Sequence, residues 1–210
     1  MDASLLLDGL NDKQREAVAA PLENMLVLAG AGSGKTRVLV HRIAWLMAVE
    51  NASPFSIMSV TFTNKAAAEM RGRIEELMMG SASGMWNGTF HGICHRILRA
   101  HYLDAKLPED FQILDSEDQQ RLLRRLIKAM NLDEKQWPAR QAAWWINAKK
   151  DEGLRPNHID CYQDPVTKTN LQIYTAYQEA CDRAGLVDFA EILLRAHELL
   201  RDKQHIREHY

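Results

Sequence analysis

Three glycines alternate with small residues directly ahead of a lysine and a threonine in the run Gly30-Ala31-Gly32-Ser33-Gly34-Lys35-Thr36. Residues of these types in this order suit the phosphates of a nucleoside triphosphate. Successive backbone N–H groups line a concavity that meets phosphate oxygens, and a following helix turns its positive dipole end toward them. Gly30, Gly32 and Gly34 let the backbone approach closely and take angles closed to other residues. Lys35 is positioned to reach the β and γ phosphates and the Thr36 hydroxyl to ligate Mg2+, so ATP and Mg2+ are the expected cofactors. The first position of the G-x-x-x-x-G-K-[ST] pattern is Ala29, a departure that favours a subfamily of the motif over a chance match. The competing reading is a glycine-rich turn before a helix that binds nothing.

Further candidates surround this loop. The Gln14 amide carries a donor and an acceptor, so it can pair with N6 and N7 of adenine; alternatively it is a solvated residue on an N-terminal helix. Thr61, Phe62, Thr63 and Asn64 stand where a strand gives way to a helix, and hydroxyls, an amide and backbone donors at a helix N-terminus suit a phosphodiester. Phe62 can stack on a base, a contact of about 1–3 kcal/mol that is indifferent to sequence. Equally, Phe62 can be core while Thr63 or Asn64 merely caps. Thr89, Phe90 and His91 repeat the design at the next strand end, and three such ends can share one face of an open α/β sheet. His91 and His95 are four apart with Cys94 beside them, but no further ligand cluster accompanies them and a metal site is not expected there. Trp137, Trp144 and Trp145 read as core, with base stacking as the lesser alternative. Lys149-Lys150 reads as a solvated face before a phosphate contact.

These residues need elements to hold them. Met25 to Ala29 is a short apolar run ending in the glycine loop, as a buried parallel strand would be, and Val38, Leu39, Ile43, Leu46 and Met47 then recur at helical spacing. Ile57 to Phe62 predicts a second strand, Asn64 to Met79 a helix, and Trp86 to Phe90 a third strand running into a helix over roughly His91 to Tyr102. Strands alternating with helices imply a parallel sheet covered by helices. After about Leu107 the pattern is helical: Asp115 to Met130, capped by Asp115 or Ser116, then Arg140 to Lys149, Lys168 to Ala184 and Asp188 to Leu200. The expected fold is therefore α/β, a P-loop parallel sheet over residues 1–90 with an all-helical subdomain attached or inserted over 91–210. Gln204 to Tyr210 continue helically without a cap, glycine or proline, so the chain reads as truncated.

Composition sets outer bounds. With 46% hydrophobic and 26% charged residues, disorder is excluded as the main state. No apolar stretch approaches the roughly 18 to 20 residues of a membrane span, and Met1-Asp2-Ala3 lacks the basic start of a secretory signal, so a cytoplasmic protein with no membrane partner is expected. Cys94, Cys161 and Cys181 have no paired spacing and read as reduced thiols. A net charge of −2 gives no global attraction to nucleic acid, so any such contact must be local.

Several segments together resemble the superfamily 1 DNA helicases of the UvrD/Rep/PcrA type. The Ala29-to-Thr36 run is similar to that family's motif I, Leu10-Asn-Asp-Lys-Gln-Arg-Glu-Ala17 to its Q motif, Thr61-Phe-Thr-Asn-Lys-Ala-Ala-Ala-Glu-Met70 to motif Ia, and Gly88-Thr-Phe-His-Gly92 to the next DNA-contacting motif. Gly185-Leu-Val-Asp-Phe-Ala-Glu191 also looks like a family landmark. The resemblance implies a RecA-like motor domain, Gln14 on the adenine edge, Arg37 beside the nucleotide where the residue alone would be an exposed first-turn arginine, and Thr61 to Asn64 with Thr89 to His91 on single-stranded DNA. It further implies single/double-strand junctions as substrates, 3′ to 5′ translocation, repair proteins as partners in excision and mismatch repair, and the remainder of the helicase chain.

Hydrolysis at a P-loop needs a second carboxylate strand to hold the metal and position water. Phe111-Gln-Ile-Leu-Asp115 and Leu186-Val-Asp188 are the two segments that can pose as it. Neither has a four-residue apolar strand followed by paired acids, and both are rejected. By resemblance that motif lies beyond Tyr210, which makes the 210 residues the amino-terminal part of a helicase. A small P-loop kinase and a nucleotide-holding module without catalysis are the alternatives; the paired Thr/Phe strand ends suit a chain-like ligand better than a metabolite.

Overall fold

The computed structural model describes residues 3–161 and 164–210; Met1 and Asp2, which begin the start read for a leader signal, lie outside the described residues. The chain divides into two compact units, residues 1–93 and 94–210.

In the first unit, α1 (Asp12–Val18) opens on a reciprocal cap. The Asn11 side chain accepts from the Gln14 backbone N–H at 2.9 Å, and the Asn11 backbone N–H donates to Gln14 Oε1 at 3.0 Å. Two orphan donors of the first turn are thereby satisfied. The glycine loop leads into α2 (Lys35–Ala48), whose N-cap Gly34 has φ 84 and supplies no side-chain bond. Parallel strands β1 (Met58–Thr61) and β2 (Trp86–Thr89) pair with Thr61 opposite Thr89. Between them runs α3 (Asn64–Met78), capped by the Thr63 hydroxyl, which accepts from the Ala66 N–H at 3.1 Å. Apolar residues at helical spacing on α2 and α3 close one core of Val40, Ile43, Ile57, Met70, Ile74 and Met85, while Leu10, Val18 and Val38 form a smaller one.

Met25 to Ala29, predicted as a buried strand, is not one. No ladder reaches it among the described residues, and Leu26 and Leu28 are 82% and 85% exposed. An apolar run becomes a parallel strand only where neighbouring strands take its N–H and C=O groups, and neither β1 nor β2 bonds it. The strand that should precede the loop is therefore missing from the expected strand, loop, helix order.

The second unit begins within α4 (Phe90–Ala100), a helix that starts one residue before its expected start. Its core gathers α5 (Ser116–Ala129), α6 (Ala139–Asp151) and α7 (Pro165–Ala184) around Leu123, Ile127, Ile146, Ile173, Tyr174 and Tyr177, with α8 (Phe189–Asp202) packed on α6. It is not all-helical. The segments rejected as carboxylate strands form a two-stranded parallel sheet, β3 (Gln112–Leu114) with β4 (Leu186–Asp188). Three residues are too few for a period-2 signal, which is why the sequence concealed them. An aspartate just after β3 and the last residue of β4 cap the helices that follow: Asp115 accepts from the Asp118 N–H at 2.8 Å and Asp188 from the Glu191 N–H at 2.7 Å. Gly185 stops α7 at φ 64, where a Cβ would stand 2.7 Å from Pro108 Cγ, so only glycine fits. The predicted continuation over Gln204 to Tyr210 is a separate short helix, α9 (Gln204–His209), set off by extended backbone at Lys203.

Two further expectations need correction. Trp137 and Trp145 pack against the core, but Trp144 is 72% exposed. Lys150 is no solvated residue: it is buried, with Nζ 2.8 Å from Asp188 Oδ2 and 2.9 Å from Glu191 Oε2. Arg155 and Arg195 also reach Glu191, at 2.8 and 2.7 Å, and the Tyr177 hydroxyl donates to Asp188 at 2.8 Å. The Gly185-to-Glu191 landmark thus stops one helix, adds a strand, caps the next helix and supplies both buried acids that join α6, α7 and α8.

Candidate nucleotide and nucleic-acid site

At the glycine loop, the helix that should receive phosphate starts open. The N-cap Gly34 contributes no side chain, and the N–H groups of Lys35, Thr36 and Arg37 have no partner among the described residues; the first internal bond runs from the Val38 N–H to the Gly34 carbonyl at 3.0 Å. Unpaired donors at the positive end of a helix dipole are where an anion binds. Lys35 Nζ lies 2.7 Å from both the Ala29 and Gly30 carbonyls, and the Ser33 hydroxyl donates to the Gly30 carbonyl at 2.7 Å. The lysine therefore sits on loop carbonyls that a phosphate oxygen can replace. Ala31, Gly32, Lys35, Thr36 and Arg37 are all exposed.

Gln14 reaches the same loop. Its Nε2 donates to the Ser33 carbonyl at 3.1 Å while its Oε1 holds the Asn11 N–H. One N–H and one lone pair of the amide remain for an adenine edge. The φ of 84 at Gly34 favours glycine, and a Cβ there would stand 2.8 Å from Gln14 Nε2 and push the amide off the loop. Arg37 folds its guanidinium past Gly9 and lines a cavity of about 540 Å³ with Leu5, Leu6, Val40 and His41.

The strand ends form the second half of the candidate site. The register that sets Thr61 opposite Thr89 makes Phe62 and Phe90 emerge side by side, their rings 5.7 Å apart and tilted by 47°. Phe62 is 90% exposed and Phe90 about half exposed, which removes the core reading of Phe62. Thr63 takes the capping role, and Asn64, left exposed, opens α3. The Thr61 hydroxyl donates to the Thr63 carbonyl at 3.1 Å, and the Thr89 hydroxyl accepts from the Gly92 N–H at 3.1 Å. His91 stands in the first turn of α4. Two strand ends, not three, therefore share a face as strands.

Residues 10–210 match a family model described as the UvrD/REP helicase N-terminal domain. The chain belongs to the UvrD/REP helicase family. It is 76% identical over 210 residues to a protein named DNA helicase II of Escherichia coli (strain K12), covering all of this chain and 29% of that one. It is 38% identical over 212 residues to an ATP-dependent DNA helicase PcrA of Leuconostoc citreum and 37% identical over 209 residues to one of Bacillus subtilis (strain 168), in each case covering 28% of the relative. The chain thus spans under a third of the length of the curated relatives it matches.

For this UvrD/REP helicase chain, two positioning residues escaped the sequence reading. Arg42 on α2 donates to the carbonyls of Val18, Ala20 and Pro21, the last at 2.9 Å, and so anchors the segment that leads to the glycine loop. Asn87 Nδ2 on β2 donates to the Ala67 carbonyl at 2.8 Å and ties the strand to α3. An arginine two turns along a helix and an asparagine in a strand carry no signal that separates them from solvated residues, so neither was detectable. No helix among the described residues is long and apolar enough to cross a membrane.

Proposed function

We propose that this chain supplies the ATP-phosphate cradle and part of the single-strand path of an ATP-dependent DNA helicase that translocates 3′ to 5′ and unwinds junctions in DNA repair. The observation that carries the proposal is the exposed Phe62–Phe90 pair at adjoining parallel strand ends. A large ring held in water gains nothing for folding, whereas two rings beside helix N-termini offer a stacking platform with backbone and hydroxyl donors for phosphates.

In this reading Lys35 and the N–H groups of residues 35–37 bind the phosphates, Gln14 reads adenine and Arg37 flanks the nucleotide. Thr36 is the residue that would hold Mg2+; its exposed hydroxyl beside the uncapped helix start is an oxygen donor of the kind a hard cation takes. The metal would neutralise charge on the β and γ phosphates. Residues 1–90 form the first part of a RecA-like motor domain, in which Met25 to Ala29 pairs with further strands of the full-length protein, and 91–210 form a mainly helical inserted subdomain. ATP closes two motor domains over the strand and hydrolysis reopens them, in the cytoplasm and in contact with repair proteins. The kinase and non-hydrolysing alternatives are not favoured, since the relatives are named as helicases.

Phe62→Ala in the full-length protein is expected to weaken oligo-dT and oligo-dA affinity alike by roughly 5- to 150-fold, the equivalent of one lost stack. Unchanged affinity in a fluorescence-anisotropy titration would remove the stacking role. The 210-residue polypeptide alone is expected to show no DNA-stimulated ATP turnover, because its two strand-end aspartates are occupied as caps, with Asp188 also inside the ion cluster. Helicase-like steady-state turnover by that polypeptide would contradict this.

A further inference from the structure

Two adjacent tryptophans of α6 meet different surroundings. Trp145 packs against the core of the second unit, its ring 6.3 Å from that of Tyr174 and nearly perpendicular to it. Trp144, turned away by the helical step of about 100° per residue, is 72% exposed. Trp137 also packs against the core, and Pro138 follows it as the residue that leads into α6. All three indoles line one hollow of about 410 Å³, a size within the range of cavities that hold ligands. Two of the rings are thus fixed by the core, while the third stands in water, where it contributes nothing to folding.

No charged side chain lines this hollow. Its polar groups are donors left over: the side-chain amides of Gln141 and Asn170, like the three indole N–H groups, have no hydrogen-bond partner among the described residues. Gln141 precedes Trp144 by three residues, so amide and ring lie side by side on one helix face. We infer that this groove docks a proline-rich segment of a partner protein in the polyproline II conformation. The contact goes beyond the nucleotide and strand sites and does not depend on the helicase reading.

Other ligands leave part of the groove unmatched. A nucleic-acid strand would bring its phosphates to a lining that holds no cation. A cationic group would meet Lys149, whose ammonium already stands 5.9 Å from the centre of the Trp145 ring. A helical peptide has its carbonyls bonded internally, so the amide and indole donors would stay unpaired, and an added strand needs a sheet edge, which α6 and α7 do not offer. A polyproline II segment has no internal hydrogen bonds and its prolines have no N–H. Its carbonyls can therefore accept from the indoles, Gln141 and Asn170, while its rings lie against the tryptophan faces.

The test titrates the full-length protein into a fluorescein-labelled peptide of ten prolines and, as a control, a glycine-serine peptide of equal length, both followed by anisotropy. Saturable binding of the oligoproline alone is expected. Trp144→Ala should weaken it about 30-fold, the size of one hot-spot truncation, and Gln141→Ala about fivefold, the equivalent of one lost hydrogen bond. Both residues are exposed, so melting temperature and DNA-stimulated ATP hydrolysis should stay at wild-type values. No saturable binding by the unsubstituted protein would overturn the inference, as would equal binding of the glycine-serine peptide or wild-type affinity in both variants. Displacement of the peptide by oligo-dT, with oligo-dT affinity also lowered by Trp144→Ala, would overturn it by assigning the groove to bases. Failure of DNA to stimulate hydrolysis by the unsubstituted protein would instead count against the helicase reading and leave the peptide result standing.

Discussion

Lys35→Ala in the full-length protein is expected to lower DNA-stimulated ATP hydrolysis by at least about 10²- to 10³-fold while leaving the folded state nearly unchanged. The size follows from removing the one side-chain cation of the loop that can follow charge developing on the transferred phosphoryl group, where loss of a single preorganised donor costs this much. The small folding effect follows from position. Lys35 is exposed and, among the described residues, its ammonium is hydrogen-bonded only to the Ala29 and Gly30 carbonyls of the loop itself, so its removal stays within the range of surface substitutions, about 0.5 kcal/mol. Steady-state ATPase assays together with thermal melting separate the two effects. A variant that unfolds would show Lys35 to be structural, and one that retains turnover would remove it from the phosphate site.

The second large effect lies in the buried ion cluster. Glu191→Gln in the 210-residue chain is expected to cost about 3–5 kcal/mol, because Lys150, Arg155 and Arg195 are left facing an uncharged amide in a buried setting. For a chain of this size that is a fall in Tm of roughly 6–20 °C. The cluster also fixes a pH dependence. Burial would raise the Glu191 carboxyl, but Lys150, Arg155 and Arg195 outweigh it and hold the group at about 2, below its ordinary 4.5. A depressed acid contributes stability that is present above 4.5 and lost as pH falls toward 2. Burial would lower Lys150, yet Glu191 and Asp188 prevail and raise it above 10.5; that contribution is present below 10.5 and lost as pH rises past it. Melting temperature against pH should therefore fall steeply below 4.5 in the wild type and less steeply in Glu191→Gln. Parallel acid limbs in the two proteins would contradict the assignment.

Legibility in the sequence followed the length of each signal. α3 and α5 to α8 were readable because apolar residues repeat over three or more turns, and β1 and β2 because each ends at a Thr/Phe pair before a helix. β3 and β4 were invisible as a sheet since three residues carry no period. Met25 to Ala29 misled for a different reason: its local pattern is that of a strand, but a strand requires neighbours, and sheet pairing is not encoded in the run itself. Lys150 shows the same limit, as a lysine next to a lysine gives no hint that one faces water and the other two buried acids. In the candidate site the loop chemistry could be read from residue types, whereas the bond from Gln14 to Ser33, the Arg42 anchor and the side-by-side placement of Phe62 and Phe90 depend on contacts and register between distant segments.

The central claim, that one chain couples a phosphate cradle to a single-strand platform, is tested most directly by steady-state ATP hydrolysis of the full-length protein with and without oligo-dT. The account predicts strong stimulation by the oligonucleotide, abolished by Lys35→Ala and shifted to higher half-saturating oligo-dT concentration by Phe62→Ala. Hydrolysis indifferent to DNA, or stimulation unaltered by both substitutions, would contradict it.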